Sequence, residues 1–323
     1  FECTSRDKWL QTGWPEKEVD DWLGLRLTNN WRDLWREING RVDYVTLFDE
    51  DYPLFLREIA SPPLVLYYRG DLSLVKQKCL GVVGTRKATS YSSFLLKKWI
   101  PVLVEYGLVV VSGLALGVDS LAHRFCLNAG GLTIAVLAGG FEEIYPTINR
   151  RLAKDIVNGG GLLISEYPPN YKALPYNFPA RNRIVSGLSK GVLVTEAPKK
   201  SGAMITAYMA MEQNRAVMTV GGDVMRETSQ GCNQLIKQGA LFVETVDDIL
   251  WELGIKIREK KNECVVRFEP RNEKERNIYD CLRSGEKCID ELKIVTNIDL
   301  EEIFSILTYL SLEGIVEELA GGK

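Results

Sequence analysis

Between Gly81 and Gly222 the chain runs repeatedly from a short apolar stretch into a glycine-rich turn, and this limits its possible folds more than any other feature. The four runs are GVVGTRK (81–87), VVVSGLALGVDSLAH (109–123), FPARNRIVSG (178–187) and VLVTEAPKKSGAMIT (192–206). Each is too short to span a membrane and is bounded by turn residues, so each is expected to enter as a buried parallel strand. Helical patterns are expected near 91–106, from about 119, near 148–158 and near 202–213. They alternate with the strand-like CLGVVG, LVVVSG, TIAVLAGG, GLLISE, GVLVTEA and AVMTV. A looped region follows GLLISE, and a last strand–helix pair is expected near 241–253. Such alternation predicts an α/β domain, a parallel sheet with helices on both faces that takes its ligand beyond the strands' carboxyl ends.

Glycine at those turns lets the backbone come close to a ligand, and the helix that follows presents unpaired N–H groups to an anion. Cations gather at several of the same turns. Residues 171–238 hold nine Lys/Arg against four acids, whereas residues 271–323 hold seven against twelve. The formal net charge of −3 therefore hides a basic middle and an acidic end, and the middle is the part suited to a polyanion.

The segments on either side differ in character. Residues 1–75 are rich in tryptophan (Trp9, Trp14, Trp22, Trp31, Trp35), with helical runs near 16–27 and 30–39, the second with Asn30 as N-cap. Pro53, Pro62 and Pro63 then punctuate an irregular stretch, which gives a small helical domain plus a linker strand. The sheet domain is expected over 76–254 and a charged linker over 255–270. Over 271–323 short amphipathic helices, a strand after Gly314 and a Gly-Gly turn outline a winged-helix module. That outline usually means DNA, but the module is acidic, with Glu301, Glu302, Glu313, Glu317 and Glu318 near its end, which points to a protein-contact or structural role. The seven cysteines are scattered without a CxxC pair, as in reduced cytosolic thiols rather than a disulfide framework or zinc site. No stretch approaches the roughly 20 apolar residues of a membrane helix, and no signal-peptide pattern is read.

At the first turn, GVVGTRK lacks both the GxGxxG fingerprint and the Walker GxxxxGK[ST] loop, which weakens dinucleotide and ATP-hydrolysing readings. Arg86 and Lys87 stand where the next helix begins, unfavourable for its dipole unless an anion lies opposite, so they read as phosphate contacts; the alternative is a solvated cation pair. The second turn carries the only histidine. Asp119 is expected as the helix N-cap with His123 one turn on, a buried, hydrogen-bonded strut rather than a general base, because no nucleophile or metal-ligand cluster accompanies them. Ser112 and Gly113, at the strand end, are the better ligand contacts. The third run sets Phe178, Arg181, Asn182 and Arg183 close together: an arginine for bidentate phosphate binding and an aromatic ring for stacking a base. One arginine is expected to pair internally with Glu166 or Glu196 and the other to meet ligand. The fourth turn offers Lys199, Lys200, Ser201 and Gly202 at a helix start, with Thr206 one turn in.

In this order the runs resemble the DprA/Smf (DNA-processing protein A) family, and the likeness extends through AVLAGGFEEIYPTINRRLAKDI, SEYPP and GCNQLIKQGALFVETVDDIL, over most of residues 45–253. TVGGD (219–223) departs from the family's usual Pro-Gly, with Gly221 in place of the proline. The resemblance implies an extended Rossmann-like, doubly wound, mostly parallel sheet with a small N-terminal helical domain and a C-terminal winged helix. It implies a non-catalytic, cofactor-free cytoplasmic protein that binds single-stranded DNA, protects incoming strands in natural transformation, helps load RecA and dimerises through the Rossmann-like domain. Carried onto this chain, the DNA contacts are Arg86, Lys87, Ser112, Gly113, Lys172, Phe178, Arg181, Arg183, Lys199, Lys200, Ser201 and Gly202, supported by Asp119, His123, Asn182, Glu196 and Thr206. The rival is a fold-related nucleoside-monophosphate phosphoribohydrolase of the LOG group, whose turn carries a catalytic Glu three residues after its Thr. Here Met209 stands three residues after Thr206. A nucleotide-sensing or scaffolding protein is the third reading.

Overall fold

The computed structural model describes Arg6, 16–17, 19–20, 42–257, 270–283, Gly285, 287–312 and 315–316. Its strands are β1 (Asp43–Thr46), β2 (Val65–Gly70), β3 (Cys79–Val83), β4 (Val109–Ser112), β5 (Thr133–Leu137), β6 (Leu162–Ser165), β7 (Gly191–Val194), β8 (Ala216–Thr219) and β9 (Leu241–Phe242). They form one nine-stranded sheet in the order β1-β2-β6-β5-β4-β3-β7-β8-β9. From β6 across to β9 every neighbouring pair is parallel. Every residue of β3 to β7 is buried, which explains why these strands read as continuous apolar runs and not as alternating ones.

Among the described residues, the helices that accompany this sheet are α1 (Leu54–Arg57), α2 (Ser90–Glu105), α3 (Val118–Asn128), α4 (Arg150–Asn158), α5 (Asn177–Leu188), α6 (Gly202–Glu212), α7 (Glu227–Lys237) and α8 (Val246–Glu252). Leu80, Val110 and Leu193 pack on one side of the sheet with Leu96, Val118 and Ile249 of α2, α3 and α8. Val109, Ile134 and Val192 pack on the other with Ile184, Met204 and Leu235 of α5, α6 and α7. Thr89 and Ser201 cap α2 and α6 by accepting the Tyr91 and Met204 N–H groups, and Thr245 with Asp248 closes a capping box on α8.

Two expectations need correction. FPARNRIVSG is not a strand, nor is the stretch after GLLISE a loop throughout: it is α5, with Asn177, Arg181, Ile184, Val185 and Leu188 buried at helical spacing. The chain must cross there from β6 to the far side of β3, and a parallel crossover needs a helix-sized connection. Second, the expected linker strand is two strands, and both belong to the sheet. β2 pairs antiparallel with β6, and β1 with β2, so a boundary at residue 75 would cut the sheet.

The chain divides into two compact units, the first ending at Ile257. The second contains α9 (Glu273–Arg283), α10 (Ile289–Thr296) and α11 (Leu300–Leu312) around Ile278, Leu292, Ile298, Ile303, Ile306 and Leu310. The Gly-Gly turn and most of the strand expected after Gly314 lie outside the described residues, as do the five N-terminal tryptophans and most of the linker.

Candidate functional site

The strand order reverses between β3 and β7, adjacent in the sheet but followed by helices on opposite faces. Their loops diverge and leave a crevice at the strands' carboxyl ends, where open α/β sheets bind ligands. It encloses about 680 Å³ between the 83–87 turn, the start of α3, and the first turns of α5 and α6.

Thr85, which the sequence reading passed over between Gly84 and Arg86, ties these turns together. Its N–H donates to the Glu196 carbonyl at 2.7 Å and its carbonyl accepts from Val118 N–H at 3.2 Å. Gly117 makes the second contact possible: its φ is +75°, and a Cβ there would lie 2.3 Å from the Thr85 oxygen. The Glu196 carboxylate lies beneath the same junction, accepting from Thr89 N–H and from the Thr89, Ser92 and Thr228 hydroxyls. Burial works to raise its pKa, but those hydrogen bonds outweigh it and hold the carboxyl below its ordinary range.

The floor is built around Arg181, which is only 4% exposed. Its Nη1 donates to the Gly113 carbonyl at 2.6 Å and to the Val136 carbonyl, so it covers backbone oxygens at the ends of β4 and β5. A Cβ on Gly113 would lie 2.5 Å from Arg181 Nη2, and only glycine leaves room for the guanidinium. Burial pushes Arg181 down to about 10; the charge of Asp119 opposes that, and the charge of Arg86 adds to it. Asp119 is buried and accepts from Gly113 N–H at 3.1 Å and Ala115 N–H at 3.4 Å. It is therefore not the N-cap of α3, a place taken by Gly117, but a brace for the loop before the helix. His123 does not pair with Asp119 either: its Nδ1 meets the Thr133 hydroxyl at 2.7 Å, and Nε2 has no partner. Burial, helped by Arg181, pushes His123 down to about 3, so it stays neutral.

The rim is different. Arg86 is exposed, with its guanidinium 5.7 Å over the Phe178 ring, and Phe178 meets Tyr145 edge-on at 5.5 Å. Ser201 and Gly202 bring the amino end of α6 to the opposite wall. Asn182 donates to the Gly202 carbonyl at 3.2 Å, as does the Thr206 hydroxyl, also at 3.2 Å.

The crevice thus brings together Arg86, Lys87, Gly113, Phe178, Arg181, Ser201 and Gly202, with Asp119, Asn182 and Thr206, and adds Thr85 and Tyr145. Five residues expected to touch ligand do not line it. The Ser112 hydroxyl is buried and donates to the Val82 carbonyl at 2.7 Å. Arg183 pairs with Glu166 at 2.6 Å, the internal ion pair expected of one of the two arginines. Lys199 and Lys200 are exposed in the loop before α6, and Lys172 stands farther out, 3.9 Å from Glu143. Among the described residues no group of three or more His, Cys, Asp or Glu is arranged to hold a metal ion, and no helix is long and apolar enough to cross a membrane.

Residues 43–254 match the family of DNA recombination-mediator protein A. The chain belongs to the DprA/Smf family. It is 41% identical to the DNA processing protein DprA of Bacillus subtilis, over 66% of this chain and 71% of that protein. It is 42% identical to protein Smf of Synechocystis, over 75% of this chain and 62% of that one. The X-ray structure of DprA from Streptococcus pneumoniae superposes with a TM-score of 0.69 at 37% identity, covering 74% of this chain and 83% of that one. DNA processing protein A of Helicobacter pylori, whose structure describes its single-stranded DNA binding mode, gives a TM-score of 0.59 at 31% identity, covering 66% and 96%. The family match spans β1 to α8, so β1 and β2 belong to the matched region together with the rest of the sheet.

Proposed function

We propose that this protein binds single-stranded DNA along the crevice between β3 and β7 and acts, without catalysis, as a mediator that passes the strand to RecA during natural transformation. The observation that carries the reading is Arg86: an exposed guanidinium lying over an aromatic ring at the mouth of a crevice whose other wall is a helix amino end. A phosphate there gains both the Arg86 charge and the helix N–H groups, and a base can stack beside Phe178. The single-stranded DNA binding of the Helicobacter pylori relative supports this reading. The hydrolase alternative needs a carboxylate one turn after Thr206, where this chain has Met209.

In the same proposal, Ser201 and Gly202 contact phosphate, and Lys199, Lys200 and Lys172 extend the basic track outside the crevice. The protein works in the cytoplasm as a homodimer through its sheet domain, which the first unit's sheet and helices form. Helices α9 to α11 belong to an acidic winged helix that meets protein. The test compares oligo-dT of increasing length with AMP. Affinity is expected to rise with strand length up to a site of roughly 4–16 nucleotides, with no ribose phosphate released from AMP. Equal affinity for AMP and long oligo-dT, or release of ribose phosphate, would refute it. Light scattering on the same sample reads the dimer.

A further inference from the structure

We propose that the loop between β6 and α5 carries a second base-stacking platform, formed by Tyr167, Tyr171 and Tyr176, that takes the bases of a DNA strand as it leaves the crevice. The inference rests on the single-stranded DNA reading above and extends it to a surface outside the crevice lining.

Three tyrosines fall within ten residues of this loop, and their side chains are organised rather than splayed. The Tyr167 and Tyr171 rings stack at 4.8 Å with 15° between their planes. Tyr176 closes the loop as the residue just before α5. Tyr176 is 66% exposed, so its ring covers no core. A large aromatic ring that stays mostly open to water is suited to receive another flat ring.

The loop beneath is fixed. Gly140 N–H donates to the Tyr171 carbonyl at 2.8 Å, Glu142 N–H to the Pro169 carbonyl at 2.9 Å, and Asn177 Nδ2 to the Ala138 carbonyl at 3.0 Å. These bonds fasten it to the loop that follows β5, and the approach is so close that a Cβ on Gly140 would lie 2.1 Å from the Pro169 oxygen. Preorganisation matters because a stacked base then costs little ordering of the protein. The same β5 loop carries Tyr145, whose ring meets Phe178 at the crevice mouth. The loop that anchors the tyrosines therefore also carries an aromatic ring of the crevice mouth.

Charge completes the argument. Lys172, whose side chain is 75% exposed, stands next to Tyr171. Its contact with Glu143 is long, 3.9 Å, and an exposed pair of that kind holds its partners weakly, leaving the ammonium available to a phosphate. An aromatic platform flanked by a cation, on the path of a strand whose phosphates begin at Arg86, has the composition that binds single strands without regard to base identity. It also gives Lys172, which the crevice leaves out, a reason to be there.

The test measures binding by the full chain to oligo-dT of about 5 nucleotides, enough for the crevice alone, and of about 20, enough to reach the loop as well. Tyr176→Ala is expected to weaken the longer oligonucleotide roughly tenfold, by the loss of one stacked base, and to leave the shorter one unchanged. Tyr176→Phe keeps the ring and is expected to bind as the parent does. Abasic sites in the part of the long strand beyond the crevice should erase the difference between parent and Tyr176→Ala. Unchanged binding of the long strand by Tyr176→Ala, or equal losses on both lengths, would overturn the platform. Arg86→Ala is run alongside: if it leaves the short oligonucleotide unaffected while Tyr176→Ala still weakens the long one, the crevice reading fails and the platform stands.

Discussion

Two arginines of this crevice, Arg86 and Arg181, contribute the same functional group to opposite ends of one depth gradient. Arg181 lies at the bottom, and its Nη1 donates to the carbonyls of Gly113 and Val136. Arg86 lies at the mouth and is exposed, with only the face of Phe178 against it. The first is committed to protein oxygens; the second is free to meet another molecule's oxygens. Yet the two are not independent, since the charge of Arg86 depresses the pKa of Arg181. A bound phosphate would relieve that repulsion, so the floor adds positive potential to the site.

The comparison breaks first, and most visibly, at the floor. Arg181→Ala removes a buried donor from two carbonyls and leaves Asp119 without a nearby cation, and is expected to cost about 3–5 kcal/mol of folding stability in a denaturant titration. Arg86→Ala, at an exposed position, should leave the same titration curve nearly unmoved. A loss of less than about 1 kcal/mol for Arg181→Ala, on the scale of an exposed pair, would mean that floor and rim do not differ in kind.

His123 sharpens the contrast through pH. Its folded pKa is about 3, below its ordinary value, so the unfolded chain takes the proton first as pH falls. Stability is therefore expected to drop by about 1.4 kcal/mol per pH unit below roughly pH 6.5, the drop ending as pH passes the folded value of about 3. His123→Asn can keep a bond to Thr133 without titrating and should remove that component, read as the difference in slope between variant and parent. Identical slopes would mean that the buried imidazole is not held neutral.

Much of this was legible in the amino-acid sequence because it followed from short-range rules. Buried parallel strands announce themselves as apolar runs ending in glycine, and α2, α4 and α6 fall where helices are expected near 91–106, 148–158 and 202–213. What was not legible depended on tertiary partners. FPARNRIVSG mixes proline, charge and glycine, and its helix is visible only once Ile184, Val185 and Leu188 have a sheet to face. Asp119 and His123 lie four apart on one helix and looked like a pair, but each found a partner elsewhere, in the Gly113 and Ala115 amides and in Thr133. Arg181 and Arg183 are indistinguishable by composition. Their roles separate because residues two apart on a helix point in different directions, one into the floor and one to Glu166. Thr85 carried a weak signal, a hydroxyl residue held between a glycine and two cations in a turn, and its backbone role could not be read from spacing.

The most direct test of the account is the salt dependence of oligo-dT binding by the parent protein and by Arg86→Ala. If Arg86 neutralises a phosphate, the plot of log affinity against log salt for the parent is steeply negative, and the variant is weaker with a slope shallower by about 0.7, one released counterion on a single strand. Parallel lines for the two proteins, or an affinity that does not respond to salt, would contradict the claim that the crevice rim is a phosphate track.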